Sequence, residues 1–160
     1  MRASRFHFVL MFMPLAAALA SITPGSVRAQ GSVPDARDPR IPPSETAAKA
    51  ALETTPRHGE YLDVQVADGE TPIRTWVVYP ERKDKAGVVI IVHEIYGLSD
   101  WIRAVADQLA QDGFIAVAPD LISGLGPGGG GTDSVPSRDD VVKLVRSISP
   151  ERAATVINAV

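Results

Sequence analysis

Residues 88–121 read VVIIVHEIYGLSDWIRAVADQLAQDGFIAVAPDL, and this stretch decides the fold. The run over 87–92 is apolar and mostly β-branched without alternation, which is typical of a strand that is covered on both faces. A helical pattern follows over 99–113, where apolar residues recur at i, i+3, i+4 and i+7 from Ile102. A second apolar strand is predicted over 114–118. A strand, a helix and a strand within about 30 residues predict a right-handed crossover between two parallel strands of one sheet.

An antiparallel hairpin is predicted before this unit. Residues 60–67 alternate apolar and polar side chains, as a half-buried strand does, and residues 75–79 are rich in β-branched and aromatic residues. The dipeptide Asp68-Gly69 between them favours a turn. The sequence therefore predicts an α/β fold, in which a sheet with flanking helices is mostly parallel after an N-terminal hairpin.

The chain after the second parallel strand is predicted to form a loop and two helices. Residues 122–136 are rich in glycine and predict a flexible loop, and apolar residues at helical spacing predict a helix over 138–147. Ser149 can cap a last helix that has Pro150 at its first position. This helix reaches the end of the sequence without a stop signal. We therefore expect residues 60–160 to be the N-terminal part of a larger domain whose next strands bury the last helix.

The first 29 residues have the pattern of a secretory signal peptide. Two arginines near the start precede 13 uncharged residues over 8–20, and small or aliphatic residues over 27–29 form a cleavage pattern before Gln30. About 20 apolar residues are needed to span a membrane, so the uncharged stretch is too short to anchor the protein. The sequence predicts cleavage after residue 29, export to the periplasm or outside the cell, and no stable membrane anchor after cleavage.

A proline-rich segment separates the predicted signal peptide from the folded domain. Five prolines lie within residues 30–59, and proline fixes φ and removes a backbone donor. This composition predicts an extended linker, in which only residues 44–52 are compatible with a short helix. The predicted organisation is thus a signal peptide over 1–29, a linker over 30–59 and the α/β domain over 60–160.

Composition and motifs exclude several functional classes. All 19 acidic residues but only 13 of the 16 basic residues lie in residues 30–160, and so acidic a body is a poor partner for nucleic acid. The sequence has no cysteine for a disulfide or a thiolate metal site.

Two motifs that suggest a cofactor or a metal lack the context that these sites need. The glycine pattern over 124–129 is not placed between a strand and an adjoining helix, unlike a dinucleotide-binding loop. His93-Glu94 lacks the second histidine of a zinc-protease helix, since Gly97 stands there. We therefore expect neither a metal nor an organic cofactor.

A short polar motif stands where ligands bind in open α/β sheets. The sequence His93-Glu94-Ile95-Tyr96-Gly97 follows the first parallel strand, at its carboxyl end and just before the helix. A carboxylate at this place is costly unless it is paired, because desolvation disfavours its charged form. Two interpretations of Glu94 stay open, a catalytic carboxylate and a salt-bridge partner of a nearby arginine. His93 is either a ligand contact or a packed, hydrogen-bonded residue at the strand end.

The central stretch resembles the N-terminal half of the dienelactone hydrolases, a family of α/β-hydrolases. The shared pattern is an apolar strand, His/Gln-Glu-Ile-Phe/Tyr-Gly, an Ile-Arg pair in the next helix, and Gly-Tyr/Phe-x-Ala-x-x-Pro-Asp-Leu. In this sequence the pattern is matched by residues 93–97, Ile102-Arg103, Gly113-Phe114, Ala116 and Pro119-Asp120-Leu121. The resemblance covers residues 60–160, and it implies an α/β-hydrolase-type sheet that is truncated after its N-terminal half.

The resemblance also implies a mechanism and a set of site residues. Such hydrolases cleave esters or lactones with a cysteine or serine nucleophile, an aspartate and a histidine, without a cofactor. It implies that Glu94 is the carboxylate that activates the nucleophile, and that the backbone N–H of Ile95 belongs to the oxyanion hole. His93 and Tyr96, on either side of them, are the candidate substrate-binding residues.

The sequence also departs from the family pattern. It contains no Gly-x-Ser-x-Gly or Gly-x-Cys-x-Gly motif, so the nucleophile, aspartate and histidine would lie beyond residue 160, and the chain alone is expected to be inactive. The family's arginine for a substrate carboxylate is absent around residues 122–124, so we expect an ester or lactone other than dienelactone. A non-catalytic relative and an exported small-ligand-binding domain are the alternatives.

Overall fold

The sheet of this protein has four strands in the part of the chain that the computed structural model describes, residues 38–66 and 70–160. The strands are β1 Gly59–Val64, β2 Ile73–Val78, β3 Val88–Ile90 and β4 Ile115–Pro119, in the spatial order β1-β2-β4-β3. Strand β2 is antiparallel to both β1 and β4, whereas β3 and β4 are parallel. The predicted α/β sheet with an antiparallel hairpin before parallel strands is therefore confirmed.

Four helices flank this sheet in the described ranges: α1 Glu45–Thr54, α2 Asp100–Gln111, α3 Arg138–Arg146 and α4 Pro150–Ala159. The hydroxyl of Ser99 accepts a hydrogen bond from the N–H of Ile102 and so caps α2. Gly113 follows this helix with a φ of +97°, a conformation that suits glycine. Ser149 caps α4 in the same way, through the N–H of Arg152. The helices predicted after β3 from periodicity and capping are thus confirmed.

Helices cover both faces of the sheet. Val78 of β2 packs with Ala106 and Ala110 of α2, whereas Ile73 of the same strand packs with Val156 of α4. Successive residues of a strand point to opposite faces, and positions 73 and 78 differ by an odd number. Helices α2 and α4 therefore lie on opposite sides of the sheet, which is the layered arrangement of an α/β fold.

The segment before β1 is not extended throughout. The sequence predicts an extended linker over 30–59 in which residues 44–52 are compatible with a short helix, and residues 45–54 do form helix α1, which packs against α2 and buries Ala48 completely. The prolines flank this helix and leave an alanine-rich stretch uninterrupted, so helix propensity and burial decide its conformation. The signal peptide predicted over 1–29 lies outside the described residues. No helix in residues 38–66 and 70–160 is long and apolar enough to cross a membrane.

Strand β3 differs from the strand predicted over 87–92 in both length and burial. Only residues 88–90 belong to the strand, and its side chains are partly open, with Val88 60% exposed. The reason is its place in the sheet, since β3 pairs with β4 alone within the described residues. The apolar run therefore lies at an edge of this sheet and is not covered on both faces.

The glycine-rich segment after β4 folds against its neighbours and is not the open, flexible loop predicted over 122–136. Ile122 is fully buried, and short 3-10 turns occupy Pro127–Gly129 and Thr132–Ser134. The side chain of Asp120 holds the second turn by hydrogen bonds to Thr132. The hydroxyl of Thr132 in turn contacts the N–H of Leu98, so the segment returns to the loop that follows β3.

Candidate active site

The predicted site residues lie at the edge of the sheet where β3 and β4 both end. The two strands are parallel, so their carboxyl ends meet at one edge, which is where ligands bind in such sheets. Residues 93–99, here named the Glu94 loop, connect β3 to α2. Residues 120–124 leave β4 at the same edge, and the N–H of Leu121 donates to Nε2 of His93 over 3.1 Å. The structure thus brings the two strand ends into direct contact.

The carboxylate of Glu94 is held by its own loop. Its Oε2 accepts a hydrogen bond from the N–H of Tyr96 over 2.9 Å, and the Glu94 carbonyl accepts one from the N–H of Gly97 over 3.1 Å. Gly97 has a φ of +71°, which L side chains rarely adopt, so the turn depends on glycine. No lysine, arginine or histidine nitrogen in residues 38–66 and 70–160 lies within 4.0 Å of this carboxylate. The alternative of a structural salt bridge at Glu94 therefore has no partner among these residues.

The backbone N–H of Ile95 makes no hydrogen bond within the described part of the chain. The residue lies between the held positions 94 and 97 of the Glu94 loop, and its side chain is exposed. An oxyanion hole needs a preorganised donor that no acceptor of the protein has taken. The N–H of Ile95 meets this requirement.

His93 does not lie at a surface where a substrate would bind. Its side chain is 1% exposed, its Nδ1 lies 2.9 Å from the carbonyl oxygen of Glu94, and its Nε2 accepts from the N–H of Leu121. Because Nε2 is an acceptor, the proton of the neutral ring is on Nδ1 and is donated to the Glu94 carbonyl. This geometry leaves no surface for the substrate contact predicted for His93. The ring is instead a link between the two strand ends.

Tyr96 is an exposed member of the motif. The guanidinium of Arg138 lies 3.9 Å from the centre of its ring, where a cation is attracted by the electrons of the aromatic face. Arg138 also forms an ion pair with Glu45, at the start of α1. The ring of Tyr96 therefore stands beside a cation from the start of α3, and a substrate contact at Tyr96 stays a prediction.

The sequence patterns do not predict the contact between Asp120 and Thr132, which connects the glycine-rich segment to the Glu94 loop. Asp120 is almost fully buried, and its Oδ2 accepts from the N–H of Thr132 over 2.6 Å. Its Oδ1 accepts from the hydroxyl of Thr132 over 2.9 Å and from the N–H of Ile122 over 3.3 Å. The hydroxyl of Thr132 itself accepts from the N–H of Leu98 over 3.0 Å. An acid directly after a strand is a weak signal for Asp120, and Thr132 carries no such signal.

Two glycines permit this close approach. A Cβ on Gly131 would lie 2.2 Å from Oδ2 of Asp120, and a Cβ on Gly97 would lie 2.3 Å from the hydroxyl oxygen of Thr132. Real contacts of a Cβ are longer than this, so only glycine fits at these positions without a shift of the neighbour. Glycine is thus a packing requirement here, whereas the composition alone predicts only flexibility.

The arrangement at this edge of the sheet has a definite chemical capacity. It presents a carboxylate, a free backbone N–H and an exposed aromatic ring on one loop. A carboxylate can accept a proton, and a preorganised N–H can stabilise a negative charge that develops on an oxygen atom. The described residues contain no group of three histidine, aspartate or glutamate side chains that could hold a metal ion.

Known proteins are similar in sequence to this region. The dienelactone hydrolase family matches residues 73–158, which is more than half of the chain. A protein of Escherichia coli (strain K12) named as hydrolase fragment YghX is 37% identical over 68 residues, which are 42% of this chain and 58% of that protein. A protein of Saccharolobus solfataricus named as a carboxymethylenebutenolidase is 43% identical over 49 residues, which are 31% of this chain and 18% of that protein.

A solved structure shares the fold. A protein of Klebsiella pneumoniae named as a dienelactone hydrolase superposes with a TM-score of 0.52 at 22% identity, over 66% of this chain and 42% of that one. At this identity the likeness shows the fold alone. The chain spans less than two thirds of the length of each of these proteins. The match over residues 73–158, which contains the Glu94 loop and both parallel strands, shows that the chain belongs to the dienelactone hydrolase family.

Proposed function

We propose that this chain supplies part of the active site of a hydrolase that cleaves an ester or a lactone. The observation that carries the proposal is the presence, on one loop, of the Glu94 carboxylate and the free N–H of Ile95. This loop lies at the carboxyl edge of the parallel strands, where an α/β fold binds its ligand. Membership of the dienelactone hydrolase family supports the reaction class, and the relatives named as carboxymethylenebutenolidases support a carboxylic ester bond as the target.

In the proposed reaction, a cysteine or serine from outside these 160 residues attacks the carbonyl carbon of the ester. Glu94 takes up the proton of that nucleophile as a general base. The electrons of the carbonyl double bond move to its oxygen, and the resulting oxyanion accepts a hydrogen bond from the N–H of Ile95. The oxyanion then collapses, the bond between the carbonyl carbon and the alcohol oxygen breaks, and the alcohol leaves with the proton taken from the nucleophile, passed on by a histidine that also comes from outside these 160 residues. In the second half of the reaction, a water molecule gives a proton to that histidine and attacks the acyl carbon, and the nucleophile takes this proton back as the acid is released.

Tyr96 and His93 take different parts in this proposal. The ring of Tyr96 is the proposed substrate contact, because it is next to Ile95 and open to solvent. His93 is proposed to position the Glu94 loop, since its ring donates to the Glu94 carbonyl and accepts from the end of β4. A substitution of His93 would therefore displace the loop without removing a substrate contact.

The variant Glu94→Gln in the full-length hydrolase tests this proposal. The amide has the shape of the carboxylate but does not take up the proton, so kcat/KM for p-nitrophenyl acetate is expected to fall by about 10²–10⁴-fold. The melting temperature is expected to change little, because the amide oxygen can still accept from the N–H of Tyr96. Glu70→Gln, at an exposed position outside the Glu94 loop, is the control and is expected to keep full activity.

The proposal would be overturned if Glu94→Gln lowered the melting temperature and left kcat/KM unchanged. Removing one charge of a buried ion pair costs about 3–5 kcal/mol, so a destabilised but active Glu94→Gln enzyme would show that Glu94 is structural. A full-length protein without esterase activity would favour a non-catalytic relative that binds a small ligand. The 160-residue chain alone is expected to be inactive, because its sequence lacks the nucleophile motif.

We further propose that the protein is exported. The support is the pattern of residues 1–29, in which arginines precede an uncharged stretch and a small-residue cleavage pattern. Expression in a Gram-negative host is expected to give a periplasmic product that begins at Gln30. Mass spectrometry of the product measures this, and a cytoplasmic product that retains Met1 would contradict it.

A further inference from the structure

The Glu94 loop is tethered at both of its ends. At its start, the ring of His93 donates to the carbonyl of Glu94 and accepts from the N–H of Leu121. At its other end, the hydroxyl of Thr132 accepts the N–H of Leu98 over 3.0 Å. The carboxylate of Glu94 and the free N–H at position 95 lie between these two tethers. The direction of both groups therefore depends on contacts made on either side of them.

Asp120 determines that the hydroxyl of Thr132 is the acceptor in its hydrogen bond with the N–H of Leu98. A threonine hydroxyl can donate one hydrogen bond and accept others. Here Oδ1 of Asp120 lies 2.9 Å from the hydroxyl oxygen of Thr132 and accepts its hydrogen bond, so a lone pair of the hydroxyl is left to accept from the N–H of Leu98. Oδ2 of the same carboxylate accepts from the backbone N–H of Thr132 over 2.6 Å. Such charge-assisted hydrogen bonds are stronger than neutral ones, so the buried carboxylate fixes both the place and the polarity of the hydroxyl.

The atoms around this second tether are in close contact and leave no room for a Cβ at two glycines. A Cβ on Gly97 would lie 2.3 Å from the hydroxyl oxygen of Thr132, and a Cβ on Gly131 would lie 2.2 Å from the carboxylate of Asp120. The glycine-rich segment and the Glu94 loop are thus in contact through backbone atoms and one hydroxyl. A displacement of Thr132 is therefore passed on to positions 97 and 98 of the loop.

We infer that Thr132, oriented by Asp120, is a positioning residue for the Glu94 loop, and this inference rests on the proposed function. Thr132 acts through the N–H of Leu98 and does not touch the substrate. It holds the oxyanion donor and the carboxylate in the geometry that the acyl transfer requires. A misplacement of about 1 Å at a reacting group can cost about 100-fold in rate, so such a tether has a measurable kinetic effect.

The variants Thr132→Val and Thr132→Ser in the full-length hydrolase test this inference. Valine has the shape of threonine but can neither donate to Asp120 nor accept from Leu98, whereas serine can do both. With p-nitrophenyl acetate, Thr132→Val is expected to lower kcat by about 10–100-fold and to change KM by less than about three-fold. Thr132→Ser is expected to recover most of the rate.

The variant Thr55→Val separates positioning from a general loss of stability. The hydroxyl of Thr55 donates to the carboxylate of Asp107 over 2.6 Å and accepts from the N–H of Arg57 over 3.3 Å, so this variant loses a donated and an accepted hydrogen bond of the same kind away from the Glu94 loop. It is expected to lower the melting temperature about as much as Thr132→Val and to leave kcat unchanged. Amide hydrogen exchange at Leu98 is a readout that needs no turnover, and Thr132→Val is expected to accelerate it.

Several results would overturn the inference. These are an unchanged kcat or an unchanged Leu98 exchange rate in Thr132→Val, and a Thr132→Ser variant as slow as Thr132→Val. Equal losses of kcat in Thr55→Val and Thr132→Val would also do so, because stability would then explain both. If the proposed function is wrong, a different result is expected, namely that Glu94→Gln keeps its activity. The inference about Thr132 would then be wrong as well, because it rests on that function. An inactive Glu94→Gln beside a fully active Thr132→Val would overturn the inference alone.

Discussion

The segment that follows helix α1 is fastened to α2 by a nearly buried ion pair, and Asp107→Ala is expected to loosen the helix. The Nε and Nη2 atoms of Arg57 lie 2.9 and 2.5 Å from the two carboxylate oxygens of Asp107, and the hydroxyl of Thr55 donates to the same carboxylate over 2.6 Å. The side chains of Arg57 and Asp107 are only 13% and 12% exposed, so water screens the pair little. The carboxylate raises the pKa of Arg57 above its usual value, and the arginine therefore stays charged.

The expected magnitude follows from this burial. An exposed ion pair contributes about 0–1 kcal/mol, whereas removing one partner of a buried pair costs about 3–5 kcal/mol, because the remaining charge is left uncompensated. Asp107→Ala leaves both Arg57 and the Thr55 hydroxyl without their acceptor. We expect the free energy of unfolding to fall by about 3–5 kcal/mol, out of the roughly 5–15 kcal/mol that is typical of a domain. The double variant Arg57→Met with Asp107→Leu is expected to recover most of this loss, since it leaves no unpaired charge.

Urea unfolding followed by tryptophan fluorescence measures these differences, and limited proteolysis shows whether α1 detaches before the rest of the domain unfolds. An Asp107→Ala variant that loses less than about 1 kcal/mol would refute the reasoning, because the pair would then behave as an exposed one. A double variant as unstable as Asp107→Ala would refute it as well. In that case the unpaired charge would not be the cause of the loss.

Gly97→Ala is expected to destabilise the protein by more than about 1 kcal/mol in a thermal melt, because it combines a positive φ with a collision against Thr132. Burial raises the pKa of Tyr61 above its ordinary value of 10.0, so stability is expected to fall as the pH rises from about 10 through that raised pKa. Tyrosinate absorbance and melts at alkaline pH test this, and Tyr61→Phe is expected to flatten the fall. The double variant Val88→Lys and Val92→Lys is expected to raise the solubility of the chain at little cost in stability, since both valines are exposed at the sheet edge. Light scattering measures the association of the chains, and association equal to that of the unchanged chain would contradict the expectation.

The strand, helix and strand over 88–121 could be predicted because their signals are local. Ser99 caps α2 through a residue three positions on, and Ser149 caps α4 in the same way. The residues that make these contacts are close together in the sequence, so the pattern contains the information that the structure uses. The carboxyl end of β3 could be singled out for the same reason, and with it the motif over 93–97, whereas the roles predicted for Glu94 and Ile95 come from the resemblance to dienelactone hydrolases. Position after a strand and before a helix is enough to indicate that edge of the sheet.

Helix α1 could be predicted only in part, because the composition of residues 30–59 averages over two different segments. The prolines lie outside residues 44–55, which have the composition of a helix. Two contacts hold this helix on the domain, its packing against α2 and, just after its end, the contact of Arg57 with Asp107, 50 residues further along the chain. A pattern read along the sequence does not contain a contact at that separation. Composition therefore predicts an extended segment with at most a short helix over 44–52, and the packing of that helix on the domain is what the pattern leaves out.

The glycine-rich segment shows how one side chain reverses the prediction from composition. Ordering a glycine costs more backbone entropy than ordering other residues, so six glycines within residues 124–131 predict a flexible loop. That cost has to be offset by specific bonds if the segment is to fold. Asp120 supplies two of them at the end of the segment, since its buried carboxylate accepts from the N–H of Thr132 over 2.6 Å and from its hydroxyl over 2.9 Å. Backbone hydrogen bonds within the segment supply others, such as that from the N–H of Gly126 to the carbonyl of Gly130 over 2.9 Å. The absence of a side chain at Gly131 is what lets the carboxylate come so close. A glycine that favours disorder in isolation is therefore required by the ordered state at position 131, where the carboxylate of Asp120 takes the space of a side chain.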